Sequence, residues 1–78
     1  MKIAIIGGTG PQGQGLALRF AKAGIEVFIG SRDQKKASAA VQEVNSNLPH
    51  GSPEIIGLSN IEAIRAVDEI IIFAVPWS

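Results

Sequence analysis

Apolar positions along this chain alternate between short unbroken runs and helix-spaced stripes. Lys2 to Ile6 reads KIAII, a β-branched run that fits a strand buried on both faces of a parallel sheet. From Pro11 or Gln12 to about Ala23 the spacing turns helical. Leu16, Phe20 and Ala23 fall at i, i+4 and i+7, while Gln14, Arg19 and Lys22 are polar. Pro11 suits a first helical turn, whose N–H groups lack partners in any case. Gly24 suits the position just past the helix end. Ile25 to Ile29 (IEVFI) predicts a second strand, followed by Gly30. A second helix is expected from about Asp33 to Asn47, with Ala37, Ala40, Val41, Val44 and Leu48 as its apolar stripe. Pro49, Gly51 and Pro53 mark a loop.

Glu54 to Gly57 predicts a short third strand. Ser59 and Glu62 have the spacing of a capping box and start a helix through about Ala66. Glu69 to Val75 (EIIIFAV) predicts a fourth strand, which Pro76 stops. Phe20, Phe28 and Phe73 are core residues by their spacing. The order β-α-β-α-β-α-β, with right-handed crossovers, implies an α/β fold with a Rossmann-type parallel sheet of strand order 3-2-1-4 and helices on both faces. Seventy-eight residues leave room for the first half only of a doubly wound fold. A chain this short buries about 60% of its unfolded surface, so marginal stability is expected.

The turn between the first strand and first helix carries the most chemistry. Gly8-Thr9-Gly10-Pro11-Gln12-Gly13 matches G-x-G-x-x-G and lies where a dinucleotide site needs it, after a strand and opening a helix. The first glycine permits the turn, the second lets a pyrophosphate approach the backbone, and the third lets the helix pack closely. Free N–H groups at the helix start then meet the anion. A bare turn would not need Gly7, Gly8, Gly10, Gly13 and Gly15 together, because each glycine costs backbone entropy.

About 20 residues beyond that loop, an NAD site places an acid for the ribose 2′-hydroxyl. Here the chain reads Gly30-Ser31-Arg32. A carboxylate would repel a 2′-phosphate, whereas a hydroxyl and a guanidinium bind one. Lys36 shares a face with Arg32 if the second helix starts early. Thr9 reaches towards the same pocket. Asp33 can be read as the 2′-hydroxyl acid of an NAD site or as a helix cap. Its place past the strand end favours the cap. Glu26 lies too early, inside the strand. The expected cofactor is therefore NADP, and Lys35 is read as a surface charge.

Composition removes several other classes. The chain is 46% hydrophobic and 18% charged, which is globular rather than disordered. Seven basic and seven acidic residues give zero net charge, without the basic excess that nucleic acid requires. There is no cysteine and one histidine, so no disulfide frame or thiolate chemistry is available. His50 lies between Pro49 and Gly51 and is expected to be a solvated loop residue. The longest apolar run, Ile70 to Val75, is too short for a bilayer, and no signal segment is expected ahead of the first strand. A cytoplasmic protein without membrane or nucleic-acid partners is expected. No nucleophile–base pair is evident, and hydride transfer between two cofactor rings needs none.

GGTG at 7–10, GLALR at 15–19, GSR at 30–32, Lys36 and VPW at 75–77 together resemble the N-terminal portion of NADPH:coenzyme F420 oxidoreductases. The resemblance covers residues 1–77. It implies an NADP-dependent oxidoreductase that passes hydride between NADP and coenzyme F420, a deazaflavin. It also implies that Thr9, Ser31, Arg32 and Lys36 contact the 2′-phosphate and that the glycine loop holds the pyrophosphate. Val75, Pro76 and Trp77 would then pass near the nicotinamide, although Trp77 equally suits a cap on the sheet. Family members are more than twice this length. Their C-terminal part, which helps shape the deazaflavin site and the dimer, is expected to be absent from residues 1–78. Pro11-Gln12 stands where the family more usually has Asn-Leu.

The alternatives are a non-catalytic NADP-binding module or fragment, and an NADPH-dependent ferric-reductase-like domain. On either view residues 1–78 are one NADP-binding unit, not expected to be catalytically competent alone. Its fourth strand is expected to present an apolar edge that self-associates or receives a C-terminal half.

Overall fold

The structure, a computed structural model, describes residues 1–7, 9–67 and 70–73. Four parallel strands form one sheet: β1 (Lys2–Ile6), β2 (Glu26–Ser31), β3 (Ile56–Ser59) and β4 (Ile70–Phe73). Their order is β3-β2-β1-β4, as the element sequence predicts. Helices α1 (Pro11–Lys22), α2 (Gln34–Ser46) and α3 (Asn60–Ala66) connect them.

Period-two alternation divides the strands between two cores. Ile3, Ile5, Val27 and Ile29 point to one face and pack with Ala17 and Ala21 of α1 and Val44 of α2. Ala4 and Ile6 point to the other face, where Ala63 of α3 and Val67 cover them, with Phe28 and Leu58 alongside. β1 and β2 are thus covered on both sides, which accounts for their unbroken apolar sequence.

Helix ends follow local chemistry. Gly24 has φ +87°, a conformation that favours glycine. Its N–H donates to the Ala21 carbonyl and the Ile25 N–H donates to the Phe20 carbonyl, the two bonds of a Schellman motif. Asp33 caps α2, its carboxylate accepting from the Lys35 N–H at 2.9 Å. Ser59 and Glu62 form the predicted capping box on α3.

Four expectations need correction. The buried face of α1 is Gly13, Ala17 and Ala21; Leu16 and Phe20 flank it and Ala23 is exposed. Small residues let this helix lie close to the sheet, which the stripe of large residues did not reveal. β2 starts at Glu26 and runs on through Gly30 to Ser31. β3 begins at Ile56, two residues later than expected. The backbone of Ile55 pairs instead with the Asn45 side chain: its N–H donates to Oδ1 at 2.8 Å and its carbonyl accepts from Nδ2 at 2.9 Å. Phe73 is not core: it is 68% exposed, because β4 lies at the sheet edge with β1 as its neighbour. Ile70 and Ile71 are exposed there too. The expected residues Glu69, Ala74 and Val75 of this strand lie outside the described residues.

Candidate functional site

The glycine loop leaves β1 at Gly7, whose φ of +74° is in the left-handed region and whose N–H donates to the Gly30 carbonyl at 2.9 Å. That bond holds the loop against the end of β2. The loop then enters α1 through Gly10, the N-cap residue, and Pro11 takes a first-turn position as expected. No side chain caps α1. Gln14 supplies the restraint a cap would give. Its Nε2 donates to the Thr9 carbonyl at 2.7 Å and its N–H to the Gly10 carbonyl at 3.0 Å. Sequence reading treated Gln14 only as a polar position on the helix.

Gly10 has φ −79° and ψ 173°, extended backbone open to any residue. A β-carbon built there meets nothing within 4 Å. Neither conformation nor internal packing therefore requires glycine at position 10. A ligand that approaches the backbone does require it, because a side chain would fill the space a pyrophosphate needs. Pro11 and Gln12 are exposed beside this space, and Gly13 is on the buried face of α1.

β2 places the second group. Ser31 is its last residue and is 7% exposed, the one polar side chain in the buried class among the described residues. Its Oγ accepts from the Asp33 N–H at 3.2 Å, which fixes the turn into α2. Arg32 follows at the strand end and is exposed. α2 starts at Gln34, so Arg32 lies before the helix rather than on a face shared with Lys36.

The two nevertheless meet in one cleft. Thr9, Ser31, Arg32 and Lys36 line a cavity of about 240 Å³ at the C-terminal ends of β1 and β2. Ile6, Gly7, Asp33 and Asn60 complete its wall. This is where open parallel sheets bind ligands. Thr9 and Lys36 also line an adjoining hollow of about 250 Å³ with Gln14 and Glu43. A wider hollow of about 630 Å³ runs along the outer side of α2 and includes no glycine-loop residue.

The donor set is two hydroxyls, a guanidinium and an ammonium, which matches a phosphate monoester. The carboxylate of Asp33 has one oxygen turned to the helix start, in keeping with the cap reading. No group of three or more potential metal ligands occurs among the described residues. His50 is exposed in its loop. Gly8, Val75, Pro76 and Trp77, the other expected contacts, lie outside the described residues.

Asn60, the first residue of α3, was not anticipated. Its Oδ1 is enclosed and, alone among buried side-chain nitrogens and oxygens of the described residues, has no hydrogen-bond partner. Leaving such an acceptor unpaired costs about 1–3 kcal/mol. No sequence signal separates it from an ordinary surface asparagine, apart from Gly30 across the sheet. A β-carbon at Gly30 would come 2.9 Å from that oxygen, 3.0 Å from the Ala63 Cβ and 3.1 Å from the Asn60 Cα.

Residues 2–78 match the family model described as NADP oxidoreductase, coenzyme F420-dependent. The chain is 50% identical over 76 residues to the F420-dependent NADP reductase of Methanothermobacter thermautotrophicus, covering 97% of this chain and 32% of that protein. The Methanothermobacter marburgensis protein of the same name is also 50% identical, with 97% and 34% covered. That of Methanocaldococcus jannaschii is 46% identical over 79 residues, covering 99% and 34%. The chain therefore spans about a third of the length of these relatives.

Proposed function

From the premise that this chain belongs to the coenzyme F420-dependent NADP oxidoreductase family, we propose that it binds NADP(H) as the nucleotide-binding part of an enzyme transferring hydride between NADP and coenzyme F420. The observation that carries the NADP reading is convergence. Thr9 from the glycine loop, Ser31 and Arg32 from the end of β2, and Lys36 from α2 line one cleft, although they are separated in sequence.

Ser31, Arg32, Lys36 and Thr9 would hold the 2′-phosphate, and residues 8–13 the pyrophosphate, with Gly10 leaving room for it. Nicotinamide supplies the hydride chemistry when bound; the residues of this chain bind and orient the adenosine end. Val75, Pro76 and Trp77 are proposed to pass near the nicotinamide. The F420 part of the proposal rests on the family and on the relatives' names, the NADP part also on this chain's own residues.

No helix among the described residues is long and apolar enough to cross a membrane. A cytoplasmic enzyme is proposed. The edge strand β4, with Ile70, Ile71 and Phe73 exposed, supports a contact there with further chain or with a second copy. Replacing Ile71 and Phe73 with lysine is expected to lower the weight-average mass seen by light scattering at high concentration; a monodisperse monomer before substitution argues against the self-contact.

Calorimetric titration of the chain with NADP, and separately with NAD, tests the central reading. Preferential binding of NADP is expected. Equal affinity for the two removes the 2′-phosphate site, and no binding to either by the folded chain removes the nucleotide site altogether.

A further inference from the structure

We propose that Asn60 is a ligand residue of the cleft and that its carboxamide oxygen accepts a hydrogen bond from the free 3′-hydroxyl of the phosphorylated ribose. The proposal rests on the NADP reading above. Thr9, Ser31, Arg32 and Lys36 give the cleft four donors suited to a phosphate. A phosphate dianion has no proton to give, so it offers nothing to an acceptor. The hydroxyl next to it does.

An unpartnered acceptor stands at that wall. Asn60 lines the cleft, and its Oδ1 is buried without a donor. It lies against Gly30, where a β-carbon would come within 2.9 Å of it. Glycine at position 30 makes room for the carboxamide and for the Asn60 Cα, 3.1 Å from such a β-carbon. As placed, the oxygen is enclosed; it reaches a donor in the cleft by rotation about the terminal torsion, which is soft in asparagine.

NAD sites use a carboxylate at the end of the second strand to accept from ribose hydroxyls. Beside a 2′-phosphate that carboxylate would be repelled. A neutral amide accepts the same kind of bond without the repulsion. Asp33, the carboxylate at this cleft, has an oxygen committed to the Lys35 N–H. The acceptor role therefore passes from the end of β2 to the first residue of α3.

The test uses the 78-residue chain with NADP and with its analogue lacking the adenosine 3′-hydroxyl. Removing that hydroxyl should weaken binding to the unsubstituted chain about three- to tenfold, the span of one neutral hydrogen bond. Asn60→Ala should lose NADP affinity by a similar factor, show no further loss with the analogue, and melt no lower than the unsubstituted chain. A purely structural asparagine would instead lower the melting temperature and leave the hydroxyl dependence in place. Asn60→Asp keeps size and acceptor, so it should keep that dependence while reducing the preference for NADP over NAD. Equal hydroxyl dependence in the unsubstituted chain and in Asn60→Ala overturns this assignment alone, as does its loss in Asn60→Asp. Failure of the unsubstituted chain to prefer NADP overturns the cofactor reading and this assignment with it.

Discussion

A β-carbon added at Gly57 would come 2.8 Å from the Ala37 carbonyl oxygen, whereas one added at Gly10 would meet nothing within 4 Å. The first glycine lies where β3 runs under α2, and the neighbours it would strike are backbone atoms, Ala37 and Ser38. Those cannot step aside without moving the helix. The second is the N-cap of α1, next to Thr9 in the glycine loop, in extended backbone facing open space. One glycine answers to atoms of the chain itself; the other, on the proposed function, answers to the pyrophosphate of a bound nucleotide. A glycine-rich sequence therefore mixes two kinds of information, and the space around each position separates them.

That separation is open to attack, and the largest effect is expected in the glycine loop. Gly10→Val should lower affinity for both NADP and NAD at least a hundredfold, about 2.7 kcal/mol. Stability should move by no more than about 1 kcal/mol, the difference between a good and a poor N-cap residue. Retained binding would return Gly10 to the class of bare turns. Arg32→Ala comes next. It should weaken NADP by about 1.5–3 kcal/mol, the range for a charged hydrogen bond, and leave NAD unchanged within error in the same titration. Equal losses for both cofactors would show that Arg32 does not read the 2′-phosphate.

Gly57→Ala should act the other way round, costing about 1–3 kcal/mol of stability by overpacking in denaturant unfolding, with cofactor selectivity unchanged in the folded protein. A neutral result would mean that α2 has slack over β3. The smallest effect is expected at Gly15, exposed in α1 with nothing within 4 Å of an added β-carbon. Gly15→Ala should raise stability by about 0.5–1 kcal/mol, the helix penalty of glycine. Destabilisation would place Gly15 with Gly57 among residues the fold needs.

The strands that sequence located best are those with simple surroundings. β1 is covered on both faces by its own helices, so its apolar run has the same limits as the strand, Lys2–Ile6. The start of β3 was illegible because a side chain took the place of a ladder partner at Ile55. Hydrophobic patterning cannot register an amide that imitates backbone. The inner face of α1 was misread for a related reason. Close approach selects Gly13, Ala17 and Ala21, and small residues give a weak periodic signal.

At the cleft, Ser31, Arg32 and Lys36 were legible because a missing acid at a fixed spacing is informative. Lys36 lines the cleft with Arg32, but not from a shared helix face, since Arg32 precedes the helix and the two approach through the turn. Gln14 and Asn60 depend on contacts between segments, the loop carbonyl of Thr9 in one case and Gly30 of β2 in the other. Neither contact has a fixed sequence spacing that a reader could search for.

Asn45 has a practical consequence for anyone wishing to modify the molecule. Its two-pronged grip on Ile55 joins the end of α2 to the approach to β3, at the end of the strands opposite the cleft. Residues 48–53 between them do not have to hold those ends together. Lengthening this segment then costs chiefly loop-closure entropy, about 0.6 kcal/mol for each doubling. A tag, a fluorophore or a surface-attachment peptide inserted near His50 would hang from the far end of the domain. The end that carries the cleft would be left free for measurement.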